Sequence, residues 1–176
     1  SGQLCEVIES METLKGNGPN DILDVIYYLG EISLSMAGID NSKDKINHVI
    51  DNGSAYEVLC KMISAHGGDV SKIKYEPKCI KEIKVTKSGY LNFNQTKEMG
   101  NSILALSGHQ NVINNIHDSQ SGFRLFKKHG SFVEENDVIG EMFCMNQSYL
   151  NDAIEIFKDS FDVVNQKPSL YKLIYN

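Results

Sequence analysis

The stretch from Gln3 to Gly38 constrains the chain more than any other, because it reads as two helices joined by a turn that admits little else. Leu4, Val7, Ile8, Met11 and Leu14 recur at three- and four-residue spacing, which places them on one helix face. Gly16 and Gly18 offer the left-handed backbone that closes a helix, and Pro19 blocks its continuation. Asp21 and Asp24 set negative charge at the start of a second helix, roughly Ile22 to Ala37. That helix is apolar at Ile22, Leu23, Val25, Ile26, Leu29, Ile32, Leu34 and Met36, nearly all the way round, a pattern that predicts burial. A buried helix pair needs a layer to pack on, and the sequence holds none ahead of it.

Two further helices are predicted. Ser42 is placed to cap a short one carrying Ile46, Val49 and Ile50. Ser54 and Glu57 have the spacing of a capping box for the next, which buries Val58, Leu59, Met62 and Ile63 before Gly67-Gly68. The helical period is lost between Asp69 and Lys78, which includes Pro77. The chain is therefore divided into a helical segment, 1–68, a linker, 69–78, and a second domain, 79–176.

In the second domain, alternation toward Ile83 and Val85, then Leu91 and Phe93 after Ser88-Gly89, predicts a strand pair. Thr96 to Leu106 is helical, and Gly108 to Asp118 reads as a polar loop. Short strands are expected at Gly122 to Phe126, Phe132 to Val133, and Val138 to Met145, the last broken at Gly140. Tyr149 to Val164 has helical spacing, and alternation at Leu170 to Tyr175 is expected to close the sheet. The fold class is α+β: a helical segment followed by an antiparallel domain with barrel-sandwich, or hammerhead, rhythm.

The net charge of -6 and the lack of a basic stripe argue against nucleic acid as a partner. Arg124 is the only arginine, so the Arg forks that grip planar anions are missing. No run of apolar residues is long enough to span a membrane, and no signal-peptide order opens the chain, so the cytoplasm is the expected compartment. Cys5, Cys60, Cys79 and Cys144 show neither a CxxC pair nor metal spacing, and free thiols are expected.

Features that carry chemistry elsewhere read here as structure. His48, His66, His109, His117 and His129 never pair at helical spacing with each other or with a cysteine. The glycines at 16 and 18, 67 and 68, and 100 and 108 lack the preceding strand of a phosphate cradle. Glu6, Glu9 and Glu12 share a helix face as a solvated stripe, and a cation held there would need oxygen ligands from elsewhere. Gly122 to Phe143 has the rhythm of a biotin or lipoyl carrier, but the tip Cys144-Met145-Asn146-Gln147-Ser148 has no lysine for attachment.

The opening stretch resembles a motif of the thymidine and pyrimidine nucleoside phosphorylases, G-N-x-L-E-V-x-E-A-x-x-x-L-x-G-x-G-P-x-D-L. It stands here as Gly2-Gln3-Leu4-Cys5-Glu6-Val7-Ile8-Glu9-Ser10 through Leu14-Lys15-Gly16-Asn17-Gly18-Pro19-Asn20-Asp21-Ile22. The likeness continues at Asp51 to Ala55, at Met62 to Asp69 with His66 in place of Gln, at Lys87 to Tyr90, at Thr96 to Gly100 and through Gly122 to Gly140. Departures are Ser107-Gly108-His109-Gln110 in place of a Gly-rich run ending in Arg, and Ser121 in place of Val in Asp118 to Gly122.

The resemblance implies a pentosyltransferase of pyrimidine salvage. Phosphate, as co-substrate, cleaves a thymidine- or uridine-type N-glycosidic bond to give base and pentose 1-phosphate, and no organic cofactor is needed. It implies a homodimeric, cytoplasmic parent whose phosphate loop and base-holding residues precede the opening stretch, so no catalytic residue is assigned in this chain. It implies that Glu9 joins backbone carbonyls in holding a monovalent cation, potassium, in the complete enzyme. This chain alone is expected to be inactive; the alternative is a non-catalytic interaction or assembly module that keeps the fold.

Overall fold

The computed structural model describes residues 2–106 and 118–174; the expected Gly108–Asp118 loop lies outside them except for Asp118. Among the described residues six α-helices run in the order α1 (Leu4–Leu14), α2 (Asn20–Met36), α3 (Ser42–Asp51), α4 (Ser54–Ala65), α5 (Thr96–Leu106) and α6 (Gln147–Lys158), with a single 3-10 turn at Val70–Lys72. The described strands are β1 (Cys79–Lys84), β2 (Gly89–Phe93), β3 (Gly122–Leu125), β4 (Phe132–Val133), β5 (Val138–Cys144) and β6 (Phe161–Val164). The chain divides into two compact units, one built on Glu6–Lys74 and the other on Tyr75–Tyr171. Among the described residues no helix is long and apolar enough to cross a membrane.

The helical unit ends its helices as the sequence predicts. At the end of α1, Gly16 takes a left-handed φ of 85°. Its N–H then reaches Thr13 O at 3.0 Å while Asn17 N–H reaches Glu12 O at 2.8 Å, which satisfies two carbonyls the helix leaves open. The same pair of bonds recurs after α2 and after α4. The helix starts differ from expectation. Asn41 and Gly53, not Ser42 and Ser54, are the N-cap residues of α3 and α4, and neither helix has a side-chain cap. Ser54 instead donates to Val49 O, and its N–H is taken by Asn52, so the Ser54–Glu57 capping box is not formed.

The expected burial of α2 is likewise not found: it contains no buried residue, and Leu29, Ile32 and Met36 are 56%, 44% and 84% exposed. The pattern is that of an inner helix, but the described residues of this chain do not cover that face.

The second unit is α+β and carries the core. Two three-stranded antiparallel sheets run in the orders β1-β5-β3 and β4-β2-β6, and neither closes into a barrel. β1 and β2 are therefore not a hairpin pair, because each finds its partner late in the chain. β5 is not broken at Gly140. A register shift leaves Ile139 unpaired between Ile83↔Gly140 and Lys84↔Val138, a bulge that turns Ile139 wholly into the core. The helical reading of Tyr149 to Val164 ends early: α6 stops at Lys158, and Phe161–Val164 is a strand that pairs with β2. This strand completes its sheet, and the described part of the expected Leu170 to Tyr175 strand, 170–174, forms none; Tyr175 lies outside the described residues. Leu150, Ala153, Ile154 and Phe157 of α6 are buried at helical spacing, with Ile83, Leu91, Phe123 and Met142 among their core neighbours.

Tyr75 stands edge-on to Phe143 with ring centroids 5.2 Å apart. Its hydroxyl is buried with no hydrogen-bond partner among the described residues, and burial raises its pKa well above the ordinary value. Removing a buried, unsatisfied hydroxyl relieves its desolvation cost. Tyr75→Phe is therefore expected to stabilise the protein by about 1 kcal/mol, read as a higher urea midpoint at unchanged slope.

Candidate functional site

Glu9 lies on the exposed side of α1. With Ser10, Thr13, Leu14, Ile22 and Ile26 it lines a shallow pocket of about 190 Å³ between α1 and α2. The turn between these helices is close-packed, since a Cβ at Gly18 would overlap the buried Thr13. Thr13 spends its hydroxyl on Glu9 O at 2.7 Å, and Ser10 spends its own on Glu6 O at 2.9 Å. Of the carboxylates on this helix, Glu12 is taken by Lys15 at 2.9 Å and by Asn17 at 3.1 Å, which together hold its pKa below the usual value. Glu9 forms no ion pair among the described residues. A hard cation needs several oxygen ligands. The exposed Glu9 carboxylate can supply one such oxygen, and among the described residues no group of three His, Cys, Asp or Glu side chains gathers beside it.

The other candidates resolve as structural groups. His129 Nδ1 accepts from Phe93 N–H at 3.1 Å, which leaves Nε2 to donate to Ser169 O at 3.1 Å, with the ring against Tyr171 at 4.5 Å. His48 bonds to Asn52, and His66 to Met62 O. His109 and His117 lie outside the described residues. Asp118 accepts from Gln120 N–H at 2.9 Å, Met145 N–H at 3.0 Å and the Ser121 hydroxyl, so it ties two segments together. Arg124, the only arginine, is bonded to Glu141 at 3.0 Å. The supposed tip at Cys144 to Ser148 is a strand-to-helix junction in which the Asn146 side chain accepts from Ser148 N–H and caps α6. Among the described residues no three His, Cys, Asp or Glu side chains gather as a metal site.

One pairing escaped the sequence. Cys79 and Cys144 stand directly opposite each other where β1 and β5 meet. Cysteine spacing carries no trace of this, because the register of a sheet is set by residues distant in the chain.

The comparisons with known proteins agree with the motif. The chain is 28% identical to thymidine phosphorylase of Metamycoplasma hominis, over 92% of its own length and 65% of the relative's. It is 26% identical to pyrimidine-nucleoside phosphorylase of Staphylococcus haemolyticus, over 94% of its length and 40% of the relative's. It is 25% identical to thymidine phosphorylase of Colwellia psychrerythraea, over 99% and 42%. No protein-family model matches the chain. The chain resembles these phosphorylases from end to end while spanning only part of their length, consistent with a C-terminal part.

Proposed function

We propose that this chain is the C-terminal portion of a pyrimidine-nucleoside phosphorylase, a polypeptide that acts only with the residues its relatives carry outside the matched stretch. The observation that carries this is the likeness over 92–99% of the chain but 40–65% of those relatives. The complete protein takes a pyrimidine nucleoside and phosphate and releases the base and pentose 1-phosphate. As the glycosidic bond loosens, such a reaction needs cationic groups on the phosphate and on the departing base. In this chain Arg124 is already committed to Glu141, which supports a site supplied from elsewhere. Glu9 contributes one ligand to a potassium ion in the complete protein, in line with its exposed carboxylate and its lack of an ion-pair partner among the described residues.

A second reading, a non-catalytic assembly module, draws on the open apolar residues of α2 and on Val58 and Met62 of α4, 63% and 52% exposed. These suit a surface covered by another polypeptide. Both readings expect the pure chain to leave uridine and thymidine intact in phosphate buffer, and turnover by the chain alone would sink them. They part on complementation. Adding the remaining portion of a related phosphorylase is expected to restore release of free base, and Glu9→Gln to weaken that restoration in potassium. In the chain alone, exchanging potassium for tetramethylammonium at equal ionic strength is expected to leave the melting temperature unchanged.

A further inference from the structure

We propose that Cys79 and Cys144 form a redox-modification site, a cross-strand dithiol that closes to a disulfide when the protein meets a peroxide or a small-molecule disulfide. Register partners in an antiparallel pair project from the same face of the sheet. Their Cα atoms lie about 4.5 or 5.5 Å apart, and both spacings fall within the roughly 4.4–6.8 Å that a disulfide spans. Cys79 and Cys144 are such partners, at the terminal rung of the β1–β5 ladder, where the backbone can yield slightly without disturbing rungs on both sides. Among the described residues β1 has β5 as its only strand neighbour in the sheet, so its outer edge is unpaired by them.

The two thiols differ in access. Cys144 is fully buried and Cys79 half-buried, and both are free. Cys144 Sγ donates to Asn146 O at 3.1 Å. Burial raises the Cys144 pKa, which keeps that thiol protonated and inert until an electrophilic sulfur forms beside it.

Oxidation thus starts at Cys79. Its thiolate attacks a peroxide oxygen, forming an S–O bond and breaking the O–O bond, and the hydroxide released takes a proton to become water. Cys144, giving up its proton, then attacks the Cys79 sulfur. An S–S bond forms, the S–O bond breaks, and the departing hydroxide leaves with that proton as a second water. Two thiols and one hydrogen peroxide become one disulfide and two waters. The link fastens the start of β1 to the junction where β5 hands over to α6.

The test treats the folded chain at neutral pH with equimolar hydrogen peroxide or with oxidised glutathione. Remaining thiols are then alkylated, and a non-reducing digest is read by mass spectrometry. The expected result is loss of two of the four free thiols, a mass lower by two hydrogens, one linked peptide pair holding Cys79 and Cys144, and reversal by a dithiol reductant. The linked form is expected to melt at a higher temperature than the reduced one. Cys79→Ser, at the partly exposed position, is expected to fold as the parent does and to lose the link. Cys144→Ser serves as a second control if it folds. The proposal fails if all four thiols survive, if Cys79 halts as a mixed disulfide or sulfinic acid, or if the link contains Cys5 or Cys60. It also fails if the link forms as fast in the urea-unfolded chain as in the folded one.

Discussion

Phe157→Ala is expected to cost about 3–5 kcal/mol, the largest loss from a single truncation in the α+β unit. Phe157 is fully buried on α6 and meets three aromatic rings, with centroids 5.1 Å away at Phe123, 6.4 Å at Phe93 and 6.0 Å at Phe161. Truncation removes the ring's transfer free energy and leaves a void that these rigid neighbours fill poorly, so the cavity cost adds to the transfer cost. Against a total of about 5–15 kcal/mol for an ordinary domain, the variant should show a much lower urea midpoint, read by far-ultraviolet circular dichroism. Phe157→Leu, which retains most of the apolar volume, should lose much less. Equal losses for the two would mean that the site collapses freely and that the ring contacts contribute little.

Gly140→Ala is the second. A Cβ at this position would sit 2.5 Å from the backbone oxygen of Arg124, on the neighbouring strand β3. That oxygen cannot swing away as a side chain would, because β3 is held to β5 along its length, with Leu125 opposite Gly140. The added methyl must therefore push the strands apart next to the Ile139 bulge, where Ile139 O accepts from Phe126 N–H at 2.8 Å. A loss of about 2–3 kcal/mol is expected, as for other overpacked sites. Gly100→Ala makes the control. It lies within α5 with open space around its would-be Cβ, so alanine's helix preference should stabilise by about 0.5–1 kcal/mol. Two Gly→Ala changes of opposite sign, measured side by side, separate steric overlap from backbone propensity.

What the sequence made legible was local. The helix ends at Gly16 and Gly67 could be read because the left-handed residue and its two hydrogen bonds fall within six consecutive residues. Alternation predicts β1 and β2 as strands yet pairs them wrongly with each other, because it specifies a face and not a partner. Helical spacing runs on from α6 into β6 because Phe157 and Phe161 keep four-residue spacing across the turn. Only the pairing of β6 with β2 reveals the change. Ser54 and Glu57 had the letters of a capping box, but Gly53 had already placed the helix start one residue earlier than that box requires. The candidate site divides the same way. Motif likeness points to Glu9, and the residue is exposed on α1. Cys79 and Cys144, separated by most of the second unit in sequence, became neighbours only through the sheet.

The outward row of Leu29, Ile32 and Met36 on α2 also governs how the chain behaves in a tube. A solvatochromic dye that brightens on greasy surface should light up on the native chain, well below any unfolding transition. Sedimentation should drift toward heavier species as concentration rises, and Ile32→Lys or Met36→Lys should quieten both signals without lowering the melting point. A batch that turns cloudy on concentration would then be reporting an uncovered flank rather than a misfolded core.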